Sequence, residues 1–140
     1  MIRFVCSDDL PAVMYIAEET LTLSYTLDFF AGMWQLSPEH FLVAEQDDGI
    51  VGFILCVLTD TATLRILLLC VTPRWQRRGI GSALLHRICT PDLRHIYLEV
   101  RADNLGAIAF YRRHGFTITE QLPDFYPDGT SGYRMERQLL

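Results

Sequence analysis

Six consecutive residues, Gln76-Arg77-Arg78-Gly79-Ile80-Gly81, constrain this chain more than any other segment. They follow an apolar run at 64–71 and open a pattern at 79–89 in which Ile80, Ala83, Leu84 and Ile88 share one helical face. Glycines at such a junction let the backbone turn tightly and approach a ligand, and the N–H groups of a first helical turn point outward together. With arginines beside it, a helix start of this kind suits a pyrophosphate. An ordinary strand-to-helix turn is the competing reading of the same residues.

The rest of the chain is organised around that crossover. Residues 2–6 read as a first strand, and Ser7-Asp8-Asp9 starts a helix with Leu10, Val13, Met14 and Ala17 on one face. A second helix is expected at 27–36, carrying Phe29, Phe30, Met33 and Trp34 and ending before Pro38. Between them, Leu21-Thr22-Leu23-Ser24-Tyr25 is too apolar for an idle loop and off the helical period. The runs 41–45 and 50–58 flank the hairpin signal Gln46-Asp47-Asp48-Gly49, and Thr59-Asp60-Thr61 breaks the chain again before 64–71, which makes an antiparallel meander. After the crossover come a strand at 96–100, a helix at 104–113, a strand at 116–119 and a closing edge strand at 133–139. A helix at 79–89 requires the strands on either side of it to run parallel. The expected fold is therefore α/β in the sense of a mixed, mostly antiparallel sheet of about seven strands, with about four helices on both faces. At 140 residues it reads as one domain, 1–140.

Composition removes several functions. The net charge is -5, so there is no whole-chain footprint for nucleic acid, and a cationic or amine substrate suits it better. All twelve basic residues are arginine, which excludes a Schiff base, a phosphate-loop lysine and a lysine general base. Cys6, Cys56, Cys70 and Cys89 are scattered singly, and His40, His86, His95 and His114 make no metal-ligand spacing, so no metal is expected. The longest apolar stretch, 66–71, is far below the length of a membrane span, and a soluble cytoplasmic protein is expected. A Rossmann turn competes at Gly79, with Glu99 at about the right distance to meet a ribose. Leu84 stands in place of the third glycine, however, and the preceding strands look like hairpins.

Q-R-R-G-I-G after an apolar strand, joined with N-x-x-A-I-x-F-Y-R-R-x-G-F at 104–116, closely resembles the GNAT superfamily of acetyl-CoA-dependent N-acetyltransferases. The resemblance extends to Ile2-Arg3, to Asp9-Leu10-Pro11 and to the meander, so it spans essentially the whole chain. Ile-Tyr-Leu-Glu-Val at 96–100 leading into Asn104 looks most like the protein N-terminal acetyltransferases, including the ribosomal-protein alanine type. Residues 21–25 are similar to their loop for the first substrate residues, although Thr22 replaces a proline often found there, and Phe125-Tyr126 resembles their paired aromatics.

The resemblance implies acetyl-CoA as cosubstrate, with backbone groups of Leu69 and Val71 pairing with its pantetheine arm. It implies that the amides from Arg77 to Ser82, those of Arg77, Arg78, Gly79, Ile80, Gly81 and Ser82, hold the pyrophosphate, with Gln76 also among the cofactor-binding residues. Asn104 would bind the arm from the other side while capping its helix, and Leu23, Tyr25, Phe125 and Tyr126 would bind the acceptor. Tyr111 would be the general acid at the departing sulfur; by itself, a Tyr on such a helix face is as readily core. Glu99, a carboxylate in an apolar run opposite Leu98 and Val100, is the candidate base, with a structural ion pair to an arginine such as Arg101 as its competing role. Cys70 lacks a His partner and reads as packing against the cofactor channel. The implied acceptor is the N-terminal amine of a peptide or protein; a polyamine or metabolite amine, and a non-catalytic acetyl-CoA sensor, are the alternatives.

Overall fold

The computed structural model describes residues 1–47 and 49–139; Asp48, inside the hairpin turn expected at 46–49, and Leu140 lie outside the described residues. The elements follow in the order β1 (Ile2–Phe4), α1 (Leu10–Thr20), α2 (Leu27–Leu36), β2 (Phe41–Gln46), β3 (Gly49–Leu58), β4 (Thr63–Val71), α3 (Ile80–Ile88), β5 (His95–Arg101), α4 (Leu105–Arg113), β6 (Thr117–Leu122) and β7 (Gly132–Gln138). The strands hydrogen-bond in the order β1-β2-β3-β4-β5-β7-β6. β1 with β2, β2 with β3, β5 with β7 and β6 with β7 are antiparallel. β4 and β5 are parallel, in register from Thr63↔His95 to Ile66↔Leu98, as a crossover through α3 requires.

The closing strand is not at the edge as its sequence suggested. β7 pairs with β5 on one side and β6 on the other, which leaves β6 outermost. Met135, fully buried and level with both Leu98 and Ile118, anchors it as an interior strand.

The residues group into two compact units, Met1–Val57 with Leu68–Thr90, and Leu58–Leu67 with Pro91–Leu140. In the first, β3 is buried from Val51 to Cys56 without alternation, as expected of a strand covered on both faces. Phe30, Phe41 and Phe53 are fully buried with ring centroids 5.9 to 6.4 Å apart; each such ring contributes about 1.5–3 kcal/mol by leaving water. α2 begins where the Thr26 hydroxyl accepts from the Phe29 N–H at 3.0 Å, and it ends at Ser37 ahead of Pro38. The helix expected from Ser7 starts as a 3-10 turn, Ser7–Asp9, before α1 takes over at Leu10-Pro11, where a proline at the helix start costs no hydrogen bond.

In the second unit β5 alternates strictly. Ile96, Leu98 and Val100 are buried with Leu64, Ile66, Ile108, Tyr111, Phe116 and Met135 available as core. The other face carries His95, Tyr97, Glu99 and Arg101, beside Arg65 of β4 and Arg134 and Glu136 of β7. It is a half-buried belt of charge. α4 is capped by Asn104, whose Oδ1 accepts from the Ala107 N–H at 3.1 Å, and Gly115, at φ 87°, lets the chain leave the helix.

Candidate active site

The first unit contains the end of β4 and the start of α3. Leu69 and Val71 are half-buried on one face of β4, alternating with the buried Leu68 and Cys70. The Val71 carbonyl already accepts from Gln76 Nε2 at 2.8 Å. It keeps a second lone pair, so Gln76 closes the turn without closing the carbonyl to another donor.

Beyond Gln76 the backbone enters the left-handed region at Arg77 (φ 63°) and again at Gly79 (φ 85°), the N-cap of α3. No side chain caps this helix, whose first turn supplies the amides of Ile80, Gly81 and Ser82. Arg78 is held over the Trp75 ring at 4.7 Å. An uncapped helix start with a left-handed approach and exposed arginines fits an anionic phosphate group. Gly52 explains the tight packing beneath: a Cβ there would meet the Cys70 carbonyl at 3.0 Å and Val71 Cγ2 at 3.2 Å.

Leu23 is half-buried, and the Tyr25 ring packs against Phe29 at 5.1 Å and Phe30 at 6.1 Å. Burial, with the Cys70 thiol adding to it, pushes the Tyr25 phenol above its ordinary value and keeps it protonated. Burial also pushes the Cys70 thiol up to about 11, against a smaller opposing effect of Thr20, so it has no thiolate to offer at neutral pH.

The second unit holds the groups expected to do chemistry. Glu99 Oε1 accepts from Arg65 Nε at 2.9 Å and lies 2.7 Å from Nη2 of the same guanidinium, and the Glu99 side chain is only 13% exposed. The partner is not Arg101, as the sequence suggested, because Arg101 is taken up by Asp103, Asp128 and Thr130. Among the described residues one fully buried side-chain polar atom lacks a hydrogen bond, His95 Nε2, which lies 2.7 Å from Glu136 Oε1 but outside hydrogen-bonding geometry. Among the described residues Glu99 Oε2 has no hydrogen-bond partner and is not a fully buried atom, so it is open to solvent or substrate.

Asn104 is exposed; its Oδ1 caps α4 and its Nδ2 remains available to an acceptor from outside. Tyr111 is 7% exposed, its ring packed edge-on against Phe110 and Phe116 at 5.2 and 5.4 Å. Phe125 and Tyr126 meet edge-to-face at 5.0 Å on the β6–β7 loop.

The residues missed by sequence reasoning are Arg65 and Gly132. Arg65 had a signal: it is the one charged residue in β4, on the same face as Leu69 and Val71. Its level in the sheet did not show, because only the parallel register places it opposite Tyr97, diagonal to Glu99.

The model of the acetyltransferase (GNAT) family matches residues 9–116. The chain belongs to the GNAT family of acetyltransferases. Among solved structures, Ard1 from Thermoplasma volcanium is 36% identical with a TM-score of 0.96, covering 100% of this chain and 97% of that one. Arabidopsis thaliana Naa50, in complex with the bisubstrate analogue CoA-Ac-MVNAL, is 25% identical with a TM-score of 0.86 over 99% of this chain and 98% of that one. The ribosomal protein bS18 alanine N-acetyltransferase of Salmonella typhimurium is 32% identical over 90% of this chain and 86% of its own.

This GNAT-family chain is an N-acetyltransferase, and its mixed, mostly antiparallel sheet is the family's fold. Among the described residues no group of His, Cys, Asp or Glu is arranged to hold a metal ion, and no helix is long and apolar enough to cross a membrane.

Proposed function

We propose that residues 1–140 work as one N-acetyltransferase domain whose acceptor is the N-terminal α-amine of a peptide or protein. The observation that carries this reading is Glu99: a largely enclosed carboxylate with one oxygen fixed by Arg65 and the other open. An α-amine, with an ordinary pKa of about 7.7–8.0, is substantially neutral near pH 7.5, whereas a lysine amine at about 10.4 is not. A carboxylate that only collects the proton of the attacking amine, directly or through water, is sufficient for the first and poor for the second.

In this mechanism the amine nitrogen bonds to the acetyl carbon of acetyl-CoA and the carbon–sulfur bond breaks. The amine proton passes toward Glu99 Oε2, and the Tyr111 hydroxyl donates to the departing sulfur. Leu69 and Val71 would align the pantetheine arm, with Asn104 Nδ2 as a further donor to it, and the α3 start with Arg77 and Arg78 would take the pyrophosphate. Leu23, Tyr25, Phe125 and Tyr126 would hold the first acceptor residues. The likeness to proteins named N-alpha-acetyltransferase supports the same acceptor.

The test is CoA release from acetyl-CoA over a panel of peptides with varied free N-termini, beside polyamines and lysine peptides with blocked N-termini. Turnover on free N-termini is expected; turnover confined to polyamines or lysine side chains overturns the reading.

A further inference from the structure

The β6–β7 loop is built around one arginine of a neighbouring strand. Arg101, at the end of β5, sends Nη2 to Asp128 Oδ2 at 2.8 Å and to Thr130 Oγ1 at 2.9 Å. Its Nε and Nη2 reach Asp103 at 3.2 and 3.4 Å, and its guanidinium carbon lies 5.1 Å from the centroid of the Tyr126 ring. The loop closes on itself around these contacts: Tyr126 N–H donates to Thr130 C=O, Gly129 N–H to Tyr126 C=O, and Thr130 N–H to Asp128 Oδ1. Ala102 N–H donates to Ser131 C=O at 2.9 Å, which joins the stem of the loop to β5.

Two backbone features aim the aromatic pair. Asp124, in the left-handed region at φ 52°, turns the chain just before Phe125. Gly132 then leaves no room above it: a Cβ would lie 3.0 Å from Tyr126 Cε2, 3.1 Å from the Val100 carbonyl and 3.5 Å from Phe125 Cδ2. Phe125 and Tyr126 thus fold down onto the strand beside β5, where only glycine admits them. Phe125 nevertheless remains 45% exposed, an apolar surface that this packing presents instead of hiding.

We propose that Arg101 is a positioning residue for acceptor binding: through Asp128, Thr130 and the Tyr126 ring it holds the β6–β7 loop in the one conformation that presents Phe125 and Tyr126 to the acceptor. This rests on the acceptor role of the aromatic pair argued above. The arginine cannot be replaced by a point charge, since it uses two adjacent nitrogens and its planar face at once. Preorganisation of this kind lowers the cost of ordering the loop when acceptor binds. Its effect belongs to the acceptor, because the Arg101 side chain bonds none of the groups assigned to the cosubstrate or to proton transfer; its contact with Asn104 runs through the Arg101 carbonyl, which every side-chain variant keeps.

The experiment compares Arg101→Met, Arg101→Lys and Thr130→Val with the unaltered enzyme, in steady-state kinetics and in amide hydrogen exchange without ligands. Arg101→Met is expected to raise the KM for a free-N-terminus peptide about fivefold, leaving kcat and the acetyl-CoA KM within about twofold. Arg101→Lys restores part of the loss and Thr130→Val shows a smaller one. Exchange at the Gly129 and Thr130 amides is expected to quicken in Arg101→Met while that of β5 and β7 is unchanged. Unchanged exchange at those amides defeats the clamp whatever the acceptor is. Quickened exchange with an unaltered peptide KM defeats the link between clamp and acceptor. An unaltered enzyme that acetylates only small amines defeats the acceptor reading and, with it, the specificity claim, while the exchange data still judge the clamp.

Discussion

Two nitrogens of Arg65 converge on one oxygen of Glu99, Nε at 2.9 Å and Nη2 at 2.7 Å from Oε1. Pairing through Oε1 leaves Oε2 as the oxygen able to take a proton. Glu99→Gln is therefore expected to lower kcat about a hundredfold, within the usual range for a general base, with the acetyl-CoA KM unaltered. Arg65→Gln keeps the carboxylate and loses its orientation, so a smaller fall, about tenfold, is expected, partly restored in Arg65→Lys. Steady-state kinetics on the best peptide substrate decides: unaltered kcat in Glu99→Gln takes the proton-transfer role away from it.

Tyr111 packs edge-on against Phe110 and Phe116, and those contacts need its ring, not its hydroxyl. Tyr111→Phe keeps those ring contacts and is expected to bind acetyl-CoA with the same affinity, yet turn over at least about tenfold more slowly. Calorimetric titration with acetyl-CoA and single-turnover kinetics separate the two. Retained turnover would return Tyr111 to a purely structural role.

Much of this was legible in the sequence because local signals agreed with one another. The α2 range, the meander, the α3 crossover with its parallel strands and the α4 segment behind Asn104 each carried a period and a boundary residue. What did not show was lateral order. Alternation along 133–139 reads the same for an edge or an interior strand, and only pairing with β5 on one side and β6 on the other reveals β7 as interior. The partner of Glu99 was misjudged for the same reason. Arg101 shares its strand face two residues on, but Asp128 and Thr130 arrive from a distant loop to engage it, and Arg65 arrives from a neighbouring strand. Ion pairs across a sheet depend on register, which no single strand encodes.

At the phosphate turn, the backbone is left-handed at Gly79 and the helix that follows has no side-chain cap. Gly81 lies in the first turn of that helix, so a carboxylate there competes for the amides that would receive the pyrophosphate. Gly81→Glu is expected to abolish acetyl-CoA binding while the far-ultraviolet circular dichroism and cooperative unfolding persist. Retained affinity would remove this turn from the cosubstrate site.

At the other end of the chain, Arg3 holds Asp9 through Nη1 at 2.7 Å and Nη2 at 3.0 Å and reaches Glu45 through Nε at 3.1 Å, joining β1, the 3-10 turn ahead of α1, and β2. The hydrogen bonds from Arg3, reinforced by the Cys6 N–H and thiol and opposed by burial, lower the Asp9 carboxyl from 3.8 to about 2. A carboxyl whose folded value is depressed stabilises the fold fully above its unfolded value, and that contribution is lost as pH falls toward the folded one. The window is therefore pH 4 to 2. Asp9→Asn is expected to cost about 1–2 kcal/mol at pH 7, a share that includes the stranded Arg3 guanidinium, and to flatten the fall in stability between pH 4 and 2. Urea unfolding at pH 7, 4 and 2.5 measures both. An Asp9→Asn protein whose stability falls as steeply as the unaltered one through that window would show that the ion pair contributes nothing to acid sensitivity, and other carboxylates would have to account for it.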